Sequence, residues 1–329
     1  MKNEMLTVAE VTAKIENGDV MVLAGAEDLL TQLPKGKWIG GTTVYFVTDT
    51  GGAVVRDKVF CTTFPEASGA VPRFVDVADL PSIAQGYAPN GFTMIMIPAF
   101  SVAHSNFAID GQTYDGLFNQ PLAGWITGVH LDDLGTRAPK VFDGATGIGH
   151  EEGAVLLHCA LPEGSHVDLD ILNIFAQGDQ KELSFSFPKG GFSAGTVTVD
   201  GKEVNLARYI EENKIDTRLP LVANYAGALV NVSIQAVDAE AGEVKFYAPV
   251  VEGVEYKLAR ALGSYSEAFA QGAGDKGDGE YSCNCILNYL YGELEGQRTG
   301  NFTGPVTFGE IAYILLNQTL VRMDISDAA

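Results

Sequence analysis

Apolar and polar positions change period several times along this chain, and the changes mark its elements. Thr7-Val8-Ala9-Glu10 reads as a capping box, with Thr7 as N-cap and Glu10 reaching back to it. Val8, Val11 and Ile15 follow at helical spacing until Gly18 stops the run. Met21 to Ala24 is a short apolar strand, and a second helix is predicted from Glu27 to Leu33, closed by Pro34. Lys37 to Thr43 reads as a strand running into a glycine turn. Val54 to Phe60, Val71 to Val77 and Thr93 to Ile97 read as further strands, with a short helix near Asp79 to Gln85. From Ser101 to Gly135 the periodicity is too weak to assign.

Period two dominates the second half. Ala154 to Leu161 is a buried strand; Val167, Leu169 and Ile171 alternate with aspartates, and Leu183, Phe185 and Phe187 with serines. Thr196 to Val199, Asp200-Gly201 and Lys202 to Val204 carry a hairpin signal, followed by a helix from Leu206 to Glu212. Three alternating runs, from Val230 to Ala236, Val244 to Ala248 and Val254 to Leu258, predict an antiparallel meander with one wet face. Beyond it come a helix from Ser264 to Gln271, a strand from Tyr281 to Ile286 and a helix from Leu287 to Glu295. Two strands, Gly309 to Leu316 and Leu320 to Ile325, end the pattern. Strands joined by short turns outnumber helices, so the expected class is α+β: largely antiparallel or mixed sheets, helices packed outside, in two lobes. The boundary is placed near Asp216 to Leu219, giving domains 1–216 and 217–329. No internal repeat is visible.

The 329-residue length suits two packed lobes. Acidic residues outnumber basic ones 42 to 21, the reverse of what phosphate contacts require, so nucleic acid and anionic membrane surfaces are poor partners. The acidic N-terminus has no apolar core and does not read as a signal peptide, and no apolar run is long enough to span a bilayer. Four cysteines in so long a chain make no disulfide scaffold, which points to a cytoplasmic protein with reduced thiols.

Few residues suggest chemistry. Gly40-Gly41-Thr42-Thr43 lacks any phosphate-cradle pattern; it reads as a tight turn or as a place where a ligand or another backbone comes close. Cys283 and Cys285 flank Asn284 in a strand and share a face, as buried thiols, a pocket wall or a nucleophile. No paired CxxC or HxxH supports a metal site, and no cofactor is expected. His150-Glu151-Glu152 could house a general base, although neighbours on a loop seldom converge on one point and the five histidines read better as a scattered, non-catalytic set. His158 and Cys159 are adjacent in a strand and face opposite ways, so they cannot act as a pair. Glu310, after Gly309, reads as an ordinary solvated acid.

Three segments resemble the FIST domain of F-box and intracellular signal transduction proteins. These are Ile39 to Thr43, the stretch from Val230 to Leu258 with its Ala248-Pro249-Val250-Val251-Glu252-Gly253 step, and the terminal set. That set comprises Tyr281 to Cys285, Gly304 to Glu310 and Asn317-Gln318-Thr319. The resemblance implies an N-terminal and a C-terminal FIST-like domain and a sensory protein acting in trans through a signalling partner. Its ligand would be a small molecule such as an amino acid or small carboxylate. Gly40, Gly41, Thr42, Thr43, Cys283, Asn284, Cys285, Gly309 and Glu310 would contact that ligand. The family's cysteine is usually followed by Gly-Arg, and here Asn284-Cys285-Ile286 stands instead, without the guanidinium that would clamp a carboxylate. The other two readings are an enzyme using Cys283, Cys285 or His150, and a ligand-free interaction module.

Overall fold

In the computed structural model, which describes residues 1–179, 183–225, 227–277 and 279–326, one succession of elements occurs three times. The first unit runs β1 (Lys2–Leu6), α1 (Val8–Glu16), β2 (Met21–Gly25), α2 (Glu27–Leu30) and β3 (Trp38–Thr42). A hairpin of β4 (Tyr45–Thr48) and β5 (Gly51–Val54) follows, then β6 (Val59–Thr63). The second has β7 (Gly69–Val75), β8 (Gly91–Pro98), α3 (Val102–Asp110), β9 (Leu122–Thr127), the hairpin β10 (Val141–Asp143) and β11 (Ile148–His150), and β12 (Ala154–Ala160).

The third unit opens with β13 (His166–Leu172) and is then interrupted. The interrupting lobe contains β14 (Ser184–Ser186), β15 (Gly191–Ala194), β16 (Thr196–Val199), β17 (Lys202–Asn205) and α4 (Leu206–Glu212). It continues through β18 (Leu221–Tyr225), β19 (Ala228–Val232), β20 (Ile234–Asp238), β21 (Glu243–Val250) and β22 (Glu255–Leu258). The unit then resumes with α5 (Tyr265–Ala273), β23 (Tyr281–Cys285), α6 (Ile286–Tyr291) and β24 (Gly304–Thr307). Its hairpin is β25 (Glu310–Ala312) and β26 (Ile314–Leu316), and β27 (Leu320–Ser326) closes it.

Each unit keeps a parallel pair, β2 with β3, β8 with β9 and β23 with β24, but lends its hairpin to a neighbour. The sheet orders are β1-β6-β2-β3-β10-β11, β7-β12-β8-β9-β25-β26 and β13-β27-β23-β24-β4-β5. The exchange is cyclic, and it closes a three-sided body around one core to which Phe46, Phe60, Met96, Trp125, Cys283 and Val321 all contribute. Each unit's parallel pair ends in a buried threonine: Thr42, Thr127 and Thr307. There the units are tied in a ring. Gly128 N donates to Thr42 O (2.8 Å), Phe308 N to Ile126 O (3.0 Å) and Thr43 Oγ1 to Val306 O (2.7 Å).

The α+β class holds, with strands predominating and sheets mixed or antiparallel. The capping box forms, Thr7 N donating to Glu10 Oε2 at 2.8 Å, and Asp200 and Gly201 take the positive φ values of a tight hairpin turn. The boundary at 216/217 falls inside a sheet, since β16 and β17 before it and β18 and β19 after it belong to one order, β17-β16-β14-β22-β18-β19. The meander is also replaced. Ser233 breaks the first alternating run: β19 pairs with β18, whereas β20 and β21 form a separate sheet with β15, and β22 returns to the first sheet. The strand expected from Gly309 to Leu316 folds back on itself at Tyr313, whose φ of 62° reverses the chain between β25 and β26. The unassigned stretch from Ser101 to Gly135 holds α3 and β9.

Candidate functional site

The residues singled out by sequence converge on the ring where the three units meet, but they are packed against protein there. Gly41 lies in β3, and a Cβ on it would sit 2.6 Å from Thr127 Cγ2 and 3.0 Å from Trp125 Nε1, so the glycine admits a neighbouring unit. Gly40 packs likewise against Trp38 and Phe142. Thr42 and Thr43 border a recess of about 30 Å³, roughly the space of one water. Gly309 O accepts from Thr307 Oγ1 at 3.0 Å, and Asn284 Oδ1 accepts from Asn288 Nδ2 at 3.0 Å.

Glu310, far from being solvated, is 0% exposed. Its Oε2 accepts from Thr319 N (3.2 Å) and Thr319 Oγ1 (2.7 Å), while Oε1 has no partner. Burial raises its pKa to about 8, so the side chain is mostly protonated at neutral pH. Cys283 and Cys285 are buried, and burial with Glu310 close by drives both thiols well above the usual range. A thiol that cannot ionise is a poor nucleophile. His150 stacks on Phe74 at 3.8 Å, and burial lowers its pKa. Among the described residues no cluster of His, Cys, Asp and Glu could hold a metal ion, and no helix is long and apolar enough to cross a membrane.

A cavity large enough to take a small molecule lies beside this ring, between the three-unit body and the interrupting lobe. It measures 450 Å³, within the ordinary range for small-molecule pockets. The body supplies an apolar wall: Phe100 ahead of α3, Leu131 and Leu134 beyond β9, Leu287 and Leu290 on α6, and Phe308 beyond β24. The lobe supplies Phe192 and Ser193 from β15, Gln235 from β20, and Lys245, Phe246 and Tyr247 from β21.

Two body residues show that this wall is shaped. Phe100 has φ of 66°, a conformation costly for a non-glycine residue, and is 62% exposed with its ring against Phe308 at 6.1 Å. Backbone strain of this kind, on the order of 1–3 kcal/mol, concentrates at binding and catalytic sites. One turn later His104 reaches the lobe, its ring edge-on to Phe192 at 6.2 Å. Burial lowers its pKa to about 4, so the imidazole is neutral, and Nδ1 accepts from Phe100 N at 3.4 Å.

The lobe is seated by a buried amide network. Asn317 Oδ1 accepts from Ser233 N (3.0 Å), and Asn317 Nδ2 donates to Asn231 O (3.1 Å). Asn231 Nδ2 in turn donates to Gln318 O at 3.1 Å. The Asn317-Gln318-Thr319 segment thus serves both features, Thr319 holding Glu310 and Asn317 holding the lobe. The cleft residues gave no sequence signal, because Phe100, Leu134 and Leu290 look like any apolar position until the lobe is placed over them.

The profile of a family of unknown function, DUF6976, matches residues 6–326, and the chain belongs to that family. No curated protein matches it.

Proposed function

We propose that this family member binds a small, largely apolar molecule in the cleft between the body and the interrupting lobe and acts as a sensor, the role that the resemblance of its segments to FIST domains suggests. The observation that carries the reading is the 450 Å³ cleft, lined from both lobes and bordered by the strained, exposed Phe100. A ligand there touches elements more than a hundred residues apart in sequence, so its binding free energy couples the lobe to the body. Four free, buried thiols suit a reducing, intracellular setting. Burial of Cys283 and Cys285 argues for binding over thiol chemistry.

The test is a thermal-shift panel of apolar metabolites on the wild type and on Leu290→Trp. Leu290 lines the cleft yet is 39% exposed, so the larger side chain fills the cleft without entering the core. Dose-dependent stabilisation of the wild type that disappears in Leu290→Trp is expected. Stabilisation equal in both proteins would refute the site.

A further inference from the structure

The two walls of the cleft differ in chemistry, and the difference bears on the ligand's head group. This step rests on the binding reading above. The body wall is hydrocarbon and aromatic ring. The lobe wall carries Ser193, Gln235, Lys245 and Tyr247. Lys245 opposes Ser193 in the β15–β21 register and Ala236 in the β20–β21 register, so its long side chain rises from the middle of a three-stranded sheet. The chain has twice as many acidic as basic residues, yet among the described residues none that lines the cleft is acidic, and Lys245 is its one formal cation. His104 is neutral and adds no second charge. Tyr247 is held protonated by burial, its pKa raised to about 12, so its phenol can donate at neutral pH.

The geometry points to an amphipathic monocarboxylate as the ligand: its hydrocarbon body lies along Phe100, Leu287 and Leu290, and its carboxylate meets Lys245 beside Tyr247. The hydrocarbon leaves water against the body wall, the source of most of the affinity. The carboxylate gains a charge-assisted partner in a cleft without competing anions. A free α-amino acid fits worse, because its ammonium would meet no carboxylate on either wall. An apolar amine fits worst, since it would face Lys245.

Octanoate and octan-1-ol share a hydrocarbon chain and differ at the head, so they separate the head-group claim from the cleft itself. Both are titrated calorimetrically into the wild type, Lys245→Met and Leu290→Trp, each first shown by circular dichroism and thermal melting to be folded. The wild type should bind octanoate about fivefold more tightly than octan-1-ol, the upper range for a pair with an exposed lysine. Lys245→Met should bring the two within about twofold, chiefly by weakening octanoate. Leu290→Trp should lose both. Equal affinity of the wild type for acid and alcohol, with both lost in Leu290→Trp, overturns the carboxylate assignment and leaves the cleft standing. An acid preference that survives Lys245→Met overturns the role of Lys245. Failure of both probes to bind, or binding untouched by Leu290→Trp, overturns the cleft reading and this inference with it.

Discussion

Glu310 shows how far a residue's environment can depart from its sequence neighbourhood. Flanked by a glycine, it reads as solvated; between β9 and β26 it is enclosed and largely protonated. A glutamate in the unfolded chain ionises near pH 4.5, whereas folded Glu310 keeps its proton until about pH 8. Between those values the unfolded chain binds fewer protons, so stability falls as pH rises. His104 and His158 have the opposite sense. Both are lowered to about 4 from 6.5, so they cost stability as pH falls through that window. Between pH 7 and 8 Glu310 outweighs both, because unfolded histidines with a pKa near 6.5 have lost most of their protons there, and the wild type should lose roughly 1 kcal/mol of unfolding free energy. Urea denaturation across that range should show Glu310→Gln level or rising slightly with pH, and a fall as steep as the wild type's would place the titration elsewhere. The cysteines make a second expectation. An aromatic disulfide reagent should label no thiol of the native protein quickly, with reaction appearing only as denaturant unfolds it. Fast native labelling at Cys283 or Cys285 would revive the nucleophile reading.

At the scale of elements, features set by a few neighbouring residues were legible. The Thr7 capping box, the Asp200-Gly201 hairpin and the helix from Leu206 to Glu212 all formed as their local chemistry dictates. Illegible features depended on distant partners. α3 buries only Ala103 and Phe107 and so leaves hardly any periodic stripe. The run through Ser233 alternates without fault, yet breaks because Asn317, eighty-four residues on, takes its amide and hydroxyl. Asn317→Ala should therefore cost about 1–3 kcal/mol by stranding buried groups on Asn231 and Ser233. Hydrogen exchange in β19 and β20 should rise more than in β2 or β8; uniform change would deny Asn317 its seating role. Gly41→Ala tests the close approach of β3 to β9. With a Cβ 2.6 Å from Thr127 Cγ2, overpacking of about 1–3 kcal/mol is expected in a thermal or urea melt.

For the whole molecule, the threefold construction escaped the sequence for a physical reason. Exchanged hairpins satisfy their hydrogen bonds in a neighbouring unit, so nothing in one unit's own pattern marks it as a copy. The third copy is also divided by the lobe between β13 and α5. The same lobe misplaced the domain boundary, because its strands read as a continuation of the chain around them. Its placement turns the apolar surface at the ends of β9, β24 and α6 into one wall of a cleft, and the residues of that wall were invisible until the second wall existed. The central claim is that one small molecule bridges both walls, and hydrogen-exchange mass spectrometry with octan-1-ol, a probe without charge, tests it most directly. Concerted protection is predicted for peptides spanning Phe100 to Ser105, Ile286 to Leu290 and Lys245 to Tyr247. Protection confined to one wall, or absent from all three segments at saturating probe, would contradict it.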